Sequence, residues 1–266
     1  MDKHRPASSR NIAIFIAGVL LLGNLFGFYF YALDGLGGLG FILSPALLAF
    51  GLRAFAGDGW GDSGFGLHLR DNLVVYGVAI LLFPVLLGFA TGLGVLTGNV
   101  TFLSGAAVSM FKTMAASLPI IFLFAFFEEV GWRGYLEPRL SALGVPALRR
   151  HLFVALIWMP WHLGYILSHP EDHGHLPMPL LLILTLIATA AMAVIYGSAR
   201  LLTASIWPAV IMHTIGNSLA WAMNDSPAVS VNAPLIYAAR PDSLLVLTGL
   251  LVVALFALRW ETRRAE

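Results

Sequence analysis

Residues 118–139 read LPIIFLFAFFEEVGWRGYLEPR: an apolar run from Leu118 to Phe127 ends directly in Glu128 and Glu129, with Arg133 and Arg139 close behind. An apolar run of this kind is either a core helix of a soluble protein or part of a membrane span, and the composition of the whole chain decides between them. Of 266 residues, 59% are hydrophobic and 11% are charged. A soluble domain carries about 25% charged residues. A soluble fold of this size cannot hide so much apolar surface, so lipid is the solvent for much of the chain.

Working outward from that run, eight apolar segments emerge: Ile12–Leu33, Leu39–Phe55, Leu73–Leu96, Val108–Tyr135, Leu152–Ser168, Leu180–Ser198, Leu201–Ala222 and Ser243–Trp260. Glycine, proline and polar stretches separate them, and a tight connection around Arg200 divides the sixth from the seventh. Backbone polar groups must be satisfied internally in lipid, so the segments are helices. The expected fold is an all-α bundle of about eight transmembrane helices forming a single integral membrane domain, residues 1–266, with a motif-bearing core at 124–217. The first segment is too long for the apolar region of a signal peptide and reads as an uncleaved span.

Charge supports the count. With the N-terminus inside, all Lys and Arg residues except Lys112 and Arg240 fall on the cytoplasmic side. That is the asymmetry of a multi-pass membrane protein, and it puts both termini in the cytoplasm. The net charge of +1, with no basic cluster, gives no footprint for nucleic acid. There is no cysteine, which excludes disulfides, thiolate metal sites and cysteine nucleophiles.

Polar residues within the spans carry the chemistry, because a charge at mid-membrane costs about 2.5–3.5 kcal/mol on insertion scales. Three groups stand out. Glu129 and Arg133 are spaced i,i+4 and can pair on one helix face, which leaves Glu128 for another partner. The bland reading is an interfacial charge cluster at a helix end. His162 follows Trp158-Met159-Pro160-Trp161, where a packed core histidine is the bland reading. His213 and Asn217 share a helix face, where they could simply hold helices together. Counting from the cytoplasmic ends of their helices sets Glu128, His162 and His213 at one depth, about 15–20 Å below the boundary at 1.5 Å per residue.

A carboxylate, two imidazoles and an amide at one level suit peptide hydrolysis by activated water. Glu128 would be the base, His162 would hold the water and protonate the leaving amine, and His213 with Asn217 would face the oxyanion. Glu129 and Arg133 would form the orienting pair. Glu128, His162 and His213 could also hold zinc. The helical HExxH arrangement is absent, and a mechanism that requires no metal is preferred. The loop residues His169, His173 and His175, with Glu171 and Asp172, read as a solvated loop, Glu137 as interfacial, and Trp60, Tyr135 and Trp260 as interfacial anchors.

In order along the chain these residues give EExxxR (Glu128, Glu129, Arg133), an aromatic-xxx-H motif (Trp158 to His162) and HxxxN (His213 to Asn217). The set resembles the CAAX-protease and bacteriocin-processing membrane peptidases, the family that includes the Ras-converting CAAX endopeptidase. Trp158 stands where that family usually has phenylalanine, and Ala204 where glycine is common. The resemblance implies a multi-pass protein of a bacterial inner membrane, a conical polar cavity open to the cytoplasmic side, and hydrolysis of a membrane-associated peptide or protein substrate. The same fold could serve as a non-catalytic immunity or scaffold protein. A proton-coupled transporter would show inverted-repeat halves, and none is visible.

Overall fold

The computed structural model describes residues 8–32, 35–170, 176–224 and 226–265. The chain begins its first helix, α1 (Ser9–Phe28), at Ser8, whose hydroxyl caps the Asn11 amide at 3.4 Å. There follow α2 (Leu36–Phe55), α3 (Leu73–Leu96), the short strand β1 (Val100–Phe102), α4 (Ala106–Gly131), a wide π turn (Trp132–Leu136) and α5 (Glu137–Ala142). Next come α6 (Ala147–Trp161), α7 (Leu163–Ser168), α8 (Met178–Thr203) and α9 (Trp207–Asn224). The last elements are β2 (Val229–Val231), α10 (Pro234–Tyr237) and α11 (Leu244–Ala265).

Among the described residues, 7 helical stretches are long and apolar enough to cross a membrane: α1, α2, Arg70–Leu96, Ala106–Ala142, Ala147–Ser168, α8 and Leu244–Arg264. The eighth expected span, α9, is 18 residues long and less apolar, because it carries His213 and Asn217 among others. It packs between α3, α4 and α8, so its polar groups face protein. The protein is an all-α multi-pass membrane protein. The sheet is confined to β1 and β2, which pair antiparallel with Val100 opposite Val231 and tie the α3–α4 connection to the segment after α9.

Two boundaries differ from expectation. The break between the sixth and seventh spans lies at Ala204, which adopts a left-handed φ of +54°, and not at Arg200. Arg200 lies within α8, and its buried side chain donates to the carbonyls of Arg133 at 3.0 Å and Asp62 at 2.6 Å. The fifth span is interrupted at His162, two residues after Pro160. Asn24 of α1 bridges that interruption, donating to the Pro160 carbonyl at 3.0 Å and accepting from the Gly164 amide at 2.8 Å. The approach is so close that a Cβ on Gly164 would lie 2.2 Å from the Asn24 carbonyl oxygen.

The two ends of the bundle differ sharply. The end holding the α2–α3 connection is closed by a polar plug. Arg53 donates to the Gly59 and Gly134 carbonyls and lies 2.8 Å from Asp62, which also pairs with Arg139 at 3.1 Å. Tyr135, expected at the interface, is fully buried here and donates to Asp58 at 2.7 Å. Glu137, also expected at the interface, is fully buried. Arg150 reaches it at 2.8 Å and His151 at 2.9 Å, while Glu261 of α11 meets the same two residues at 2.6 and 2.7 Å. Of the loop histidines, His169 is described and stands against Tyr31 and Tyr165; His173 and His175, with Glu171 and Asp172, lie outside the described residues.

Removing one partner from a buried ion network leaves uncompensated charge and costs about 3–5 kcal/mol. Glu261→Ala is therefore expected to lower the thermal denaturation temperature in detergent markedly. An unchanged melting curve would mean the Glu137–Arg150–His151–Glu261 cluster contributes nothing to stability.

Candidate active site

Adjacent residues on a helix point about 100° apart, and α4 uses both directions. Glu129 points into the protein. Arg133, one turn on, donates from Nη1 to Glu129 Oε1 at 3.2 Å, and both side chains are fully buried. The guanidinium lies over the rings of Trp158 and Tyr196, 4.5 and 5.1 Å from their centroids. A planar cation suits this slot because it can stack on two rings while forking toward a carboxylate. The π turn that follows contains Arg133, whose carbonyl accepts from Arg200. Glycine is required just before it, since a Cβ on Gly131 would meet Pro45 of α2 at 2.4 Å.

Glu128 points the other way, toward a cavity. The Trp158 indole N–H donates to its Oε2 at 2.8 Å, and the Trp132 indole lies 3.4 Å from the same oxygen. The carboxylate is thus gripped on one oxygen by neutral donors and has no cation in direct contact. Its other oxygen, Oε1, stands 4.0 Å from His213 Nε2, beyond hydrogen-bond length.

The two histidines are fixed by their inner nitrogens. His162 Nδ1 lies 3.0 Å from the Trp158 carbonyl. A carbonyl only accepts, so Nδ1 carries the proton and Nε2 is presented to a reactant. His213 Nδ1 lies 2.9 Å from Glu129 Oε1, so the buried Glu129–Arg133 pair sets the orientation of this ring. Its Nε2 faces the side of Glu128. Asn217 follows one turn later on α9, with its side chain exposed to the same space.

Glu128, His162, His213 and Asn217 all line one cavity of about 800 Å³, with Trp158 beside them. Glu129 and Arg133 stand behind it. All six residues singled out in the sequence therefore belong to one assembly. Among the described residues, no group of three or more His, Asp or Glu side chains converges closely enough to hold a metal ion. Glu128, His162 and His213, the zinc set considered from the sequence, line the cavity without forming such a group.

Two roles were not legible in the sequence. Trp158 was singled out as the aromatic of its motif, but its indole N–H is the shortest contact to Glu128, a bond that phenylalanine cannot make. Asn24 was passed over within an apolar run, although a lone amide in a membrane span is itself a signal of a buried partner.

From the polar floor the cavity runs along Ile121 and Phe124 of α4, Thr185 and Met192 of α8, and Trp221 of α9. Its mouth is bordered by Tyr31, Tyr165, Val229, Val231 and Pro234. These residues sit at the end of the bundle opposite the arginine plug.

No curated protein sequence matches the chain. One family model does match, over residues 110–219, a stretch that contains Glu128, Glu129, Arg133, His162, His213 and Asn217. The matching model is that of the Type II CAAX prenyl endopeptidase Rce1-like family, to which this segment of the chain is similar.

Proposed function

We propose that the protein is an intramembrane endopeptidase that hydrolyses a peptide bond with water activated by Glu128 and His162. The observation that carries the proposal is the state of Glu128: a carboxylate held by two indole N–H groups, with no arginine or lysine against it, at the floor of a cavity large enough for an extended peptide segment. A carboxylate locked in an ion pair would be a poor base, and Glu129 is such a carboxylate; Glu128 is not.

Water placed between Glu128 Oε1 and His162 Nε2 loses a proton to this pair as its oxygen bonds to the scissile carbonyl carbon. Carbonyl oxygen then carries the negative charge. The Asn217 amide donates to it, and so does His213 from Nε2 when that nitrogen bears its second proton. The proton taken from water passes to the leaving amine as the C–N bond breaks. Glu129 and Arg133 act on His213 and do not touch substrate. Protein donors fixed before the reaction need no reorganisation as the charge develops, which is where the largest rate effect arises.

Purified protein in detergent should cleave members of a library of prenylated and unprenylated membrane peptides. Glu128→Gln and His162→Ala should each abolish turnover, and Asn217→Ala should lower kcat by about 10²–10³-fold, as loss of one oxyanion donor does. Equal cleavage by wild type and the Glu128 variant would overturn the assignment. Trp158→Phe keeps the ring but deletes the N–H. A hydrogen bond to a charged group contributes about 1.5–3 kcal/mol, so a fall in kcat of roughly tenfold to a hundredfold is expected, and an unaltered kcat would make Trp158 a packing residue. Chelators such as 1,10-phenanthroline should leave an active preparation active; loss of activity restored by zinc would contradict the metal-free mechanism.

A further inference from the structure

We infer that Asn24 of α1 is a positioning residue for His162: its amide, inserted into the backbone between Pro160 and Gly164, opens the helix at His162 and so holds the imidazole proton on Nδ1, with Nε2 left for the reaction. The role of His162 is that of the endopeptidase reading, on which this inference rests. Asn24 itself lies outside residues 110–219, the stretch that the family model matches.

An unbroken helix would pair the Gly164 N–H with the Pro160 carbonyl, four residues back. Here one side chain stands between the two groups. Asn24 Nδ2 donates to the Pro160 carbonyl at 3.0 Å, and Asn24 Oδ1 accepts from the Gly164 N–H at 2.8 Å. Nδ2 also donates to the Leu20 carbonyl at 2.8 Å, one turn back on α1, which sets the direction of the amide. Both N–H groups and the oxygen of this side chain are thereby used. Pro160 alone does not account for the break. It withholds an N–H from the carbonyl four residues before it, but leaves its own carbonyl free to accept. A side chain wedged into the hydrogen-bond ladder does account for it.

The opening changes what His162 can reach. Its backbone N–H donates to the Met159 carbonyl at 3.0 Å, three residues back rather than four. The Trp158 carbonyl, which regular helix would assign to that N–H, is met at 3.0 Å by His162 Nδ1. A carbonyl only accepts, so this contact fixes the tautomer. Without the wedge the helix can close: the Gly164 N–H returns to Pro160, the His162 N–H returns to Trp158, and the ring loses its acceptor.

The wedge is backed by close packing. A Cβ on Gly23 would lie 1.9 Å from the Trp161 ring, and one on Gly27 would lie 2.8 Å from the Tyr165 amide nitrogen, so α1 is pressed directly against the break. Trp161 stacks on Phe41 of α2, with centroids 3.9 Å apart, and donates its indole N–H to Ser44 at 3.0 Å.

The test compares Asn24→Ala and Asn24→Leu with wild type in detergent. Ser44→Ala serves as a control that loosens the same wall without touching the 160–164 bridge. Direct pairing of Gly164 with Pro160 can replace the lost bonds, so Asn24→Ala is expected to fold and to melt close to the wild-type temperature. Its kcat should fall about 10²-fold, the scale of a misplaced catalytic group, with KM unchanged. Nitrogen NMR of histidine-labelled protein, with the His162 signal assigned by its loss in His162→Ala, should show one Nδ1–H tautomer in wild type and a mixture in both Asn24 variants. Ser44→Ala should keep the wild-type kcat and tautomer. Asn24 variants that retain the Nδ1–H tautomer and the wild-type kcat overturn the inference. So does failure of both to fold, or a lowered melting temperature with kcat intact, since either makes Asn24 a purely structural residue. The tautomer is read without turnover. A protein that cleaves no peptide but shows the tautomer change therefore defeats the peptidase proposal alone, and an active protein whose Asn24 variants keep the tautomer defeats this inference alone.

Discussion

The buried pair of Glu129 and Arg133 is the constraint on which the site depends. Neither side chain touches solvent, and each would be costly in lipid or in a dry protein interior without the other. Their geometry is dictated locally, by an i,i+4 spacing across the start of a π turn, and globally, by the rings of Trp158 and Tyr196 that enclose the guanidinium. Once the pair is formed, two further positions follow. His213 is anchored through Nδ1 to Glu129, and Glu128, the next residue on the helix, is turned into the cavity. One ion pair thereby links α4 to α9 and separates the two adjacent glutamates into a buried, paired one and one that faces the cavity.

The polar interior is divided along the membrane normal. Toward one end, Arg53, Arg139 and Arg200 are tied to backbone carbonyls and to Asp62. Toward the other end the cavity widens between α4, α8 and α9 and meets the small β1–β2 pair. On the proposed reading this asymmetry has a use: a peptide and water would enter at the open end, away from the arginine cluster. Asn24 adds a local counterpart at mid-span, where it bridges the backbone groups around the helix break at His162 and so lets that residue leave regular helix without exposing unpaired polar groups to lipid.

The sequence was most legible where chemistry and lipid conflict. Glu128, His162, His213 and Asn217 could be located because polar groups are expensive within spans, and their common depth followed from helix rise alone. The all-α multi-pass fold followed from apolar segment length, and even the less apolar α9 was found because it lies between two clear neighbours. What could not be read was polar burial near helix ends. Tyr135 and Glu137 carry the composition of interfacial residues, and only the packing of α2 and α11 against them shows that they are inside. The break at Ala204 was hidden because alanine ordinarily prolongs a helix. Arg200 looked like a terminus because its partners, the carbonyls of Arg133 and Asp62, are remote in sequence.

A structure of the protein bound to a peptide phosphinate, which mimics the tetrahedral adduct of water and carbonyl, tests the central claim most directly. The account predicts one phosphinyl oxygen within hydrogen-bond reach of His213 Nε2 and the Asn217 amide, and the other between Glu128 and His162, with Glu129 still paired to Arg133. A phosphinate bound elsewhere, or one that draws Glu129 away from Arg133 to serve as the base, would contradict it.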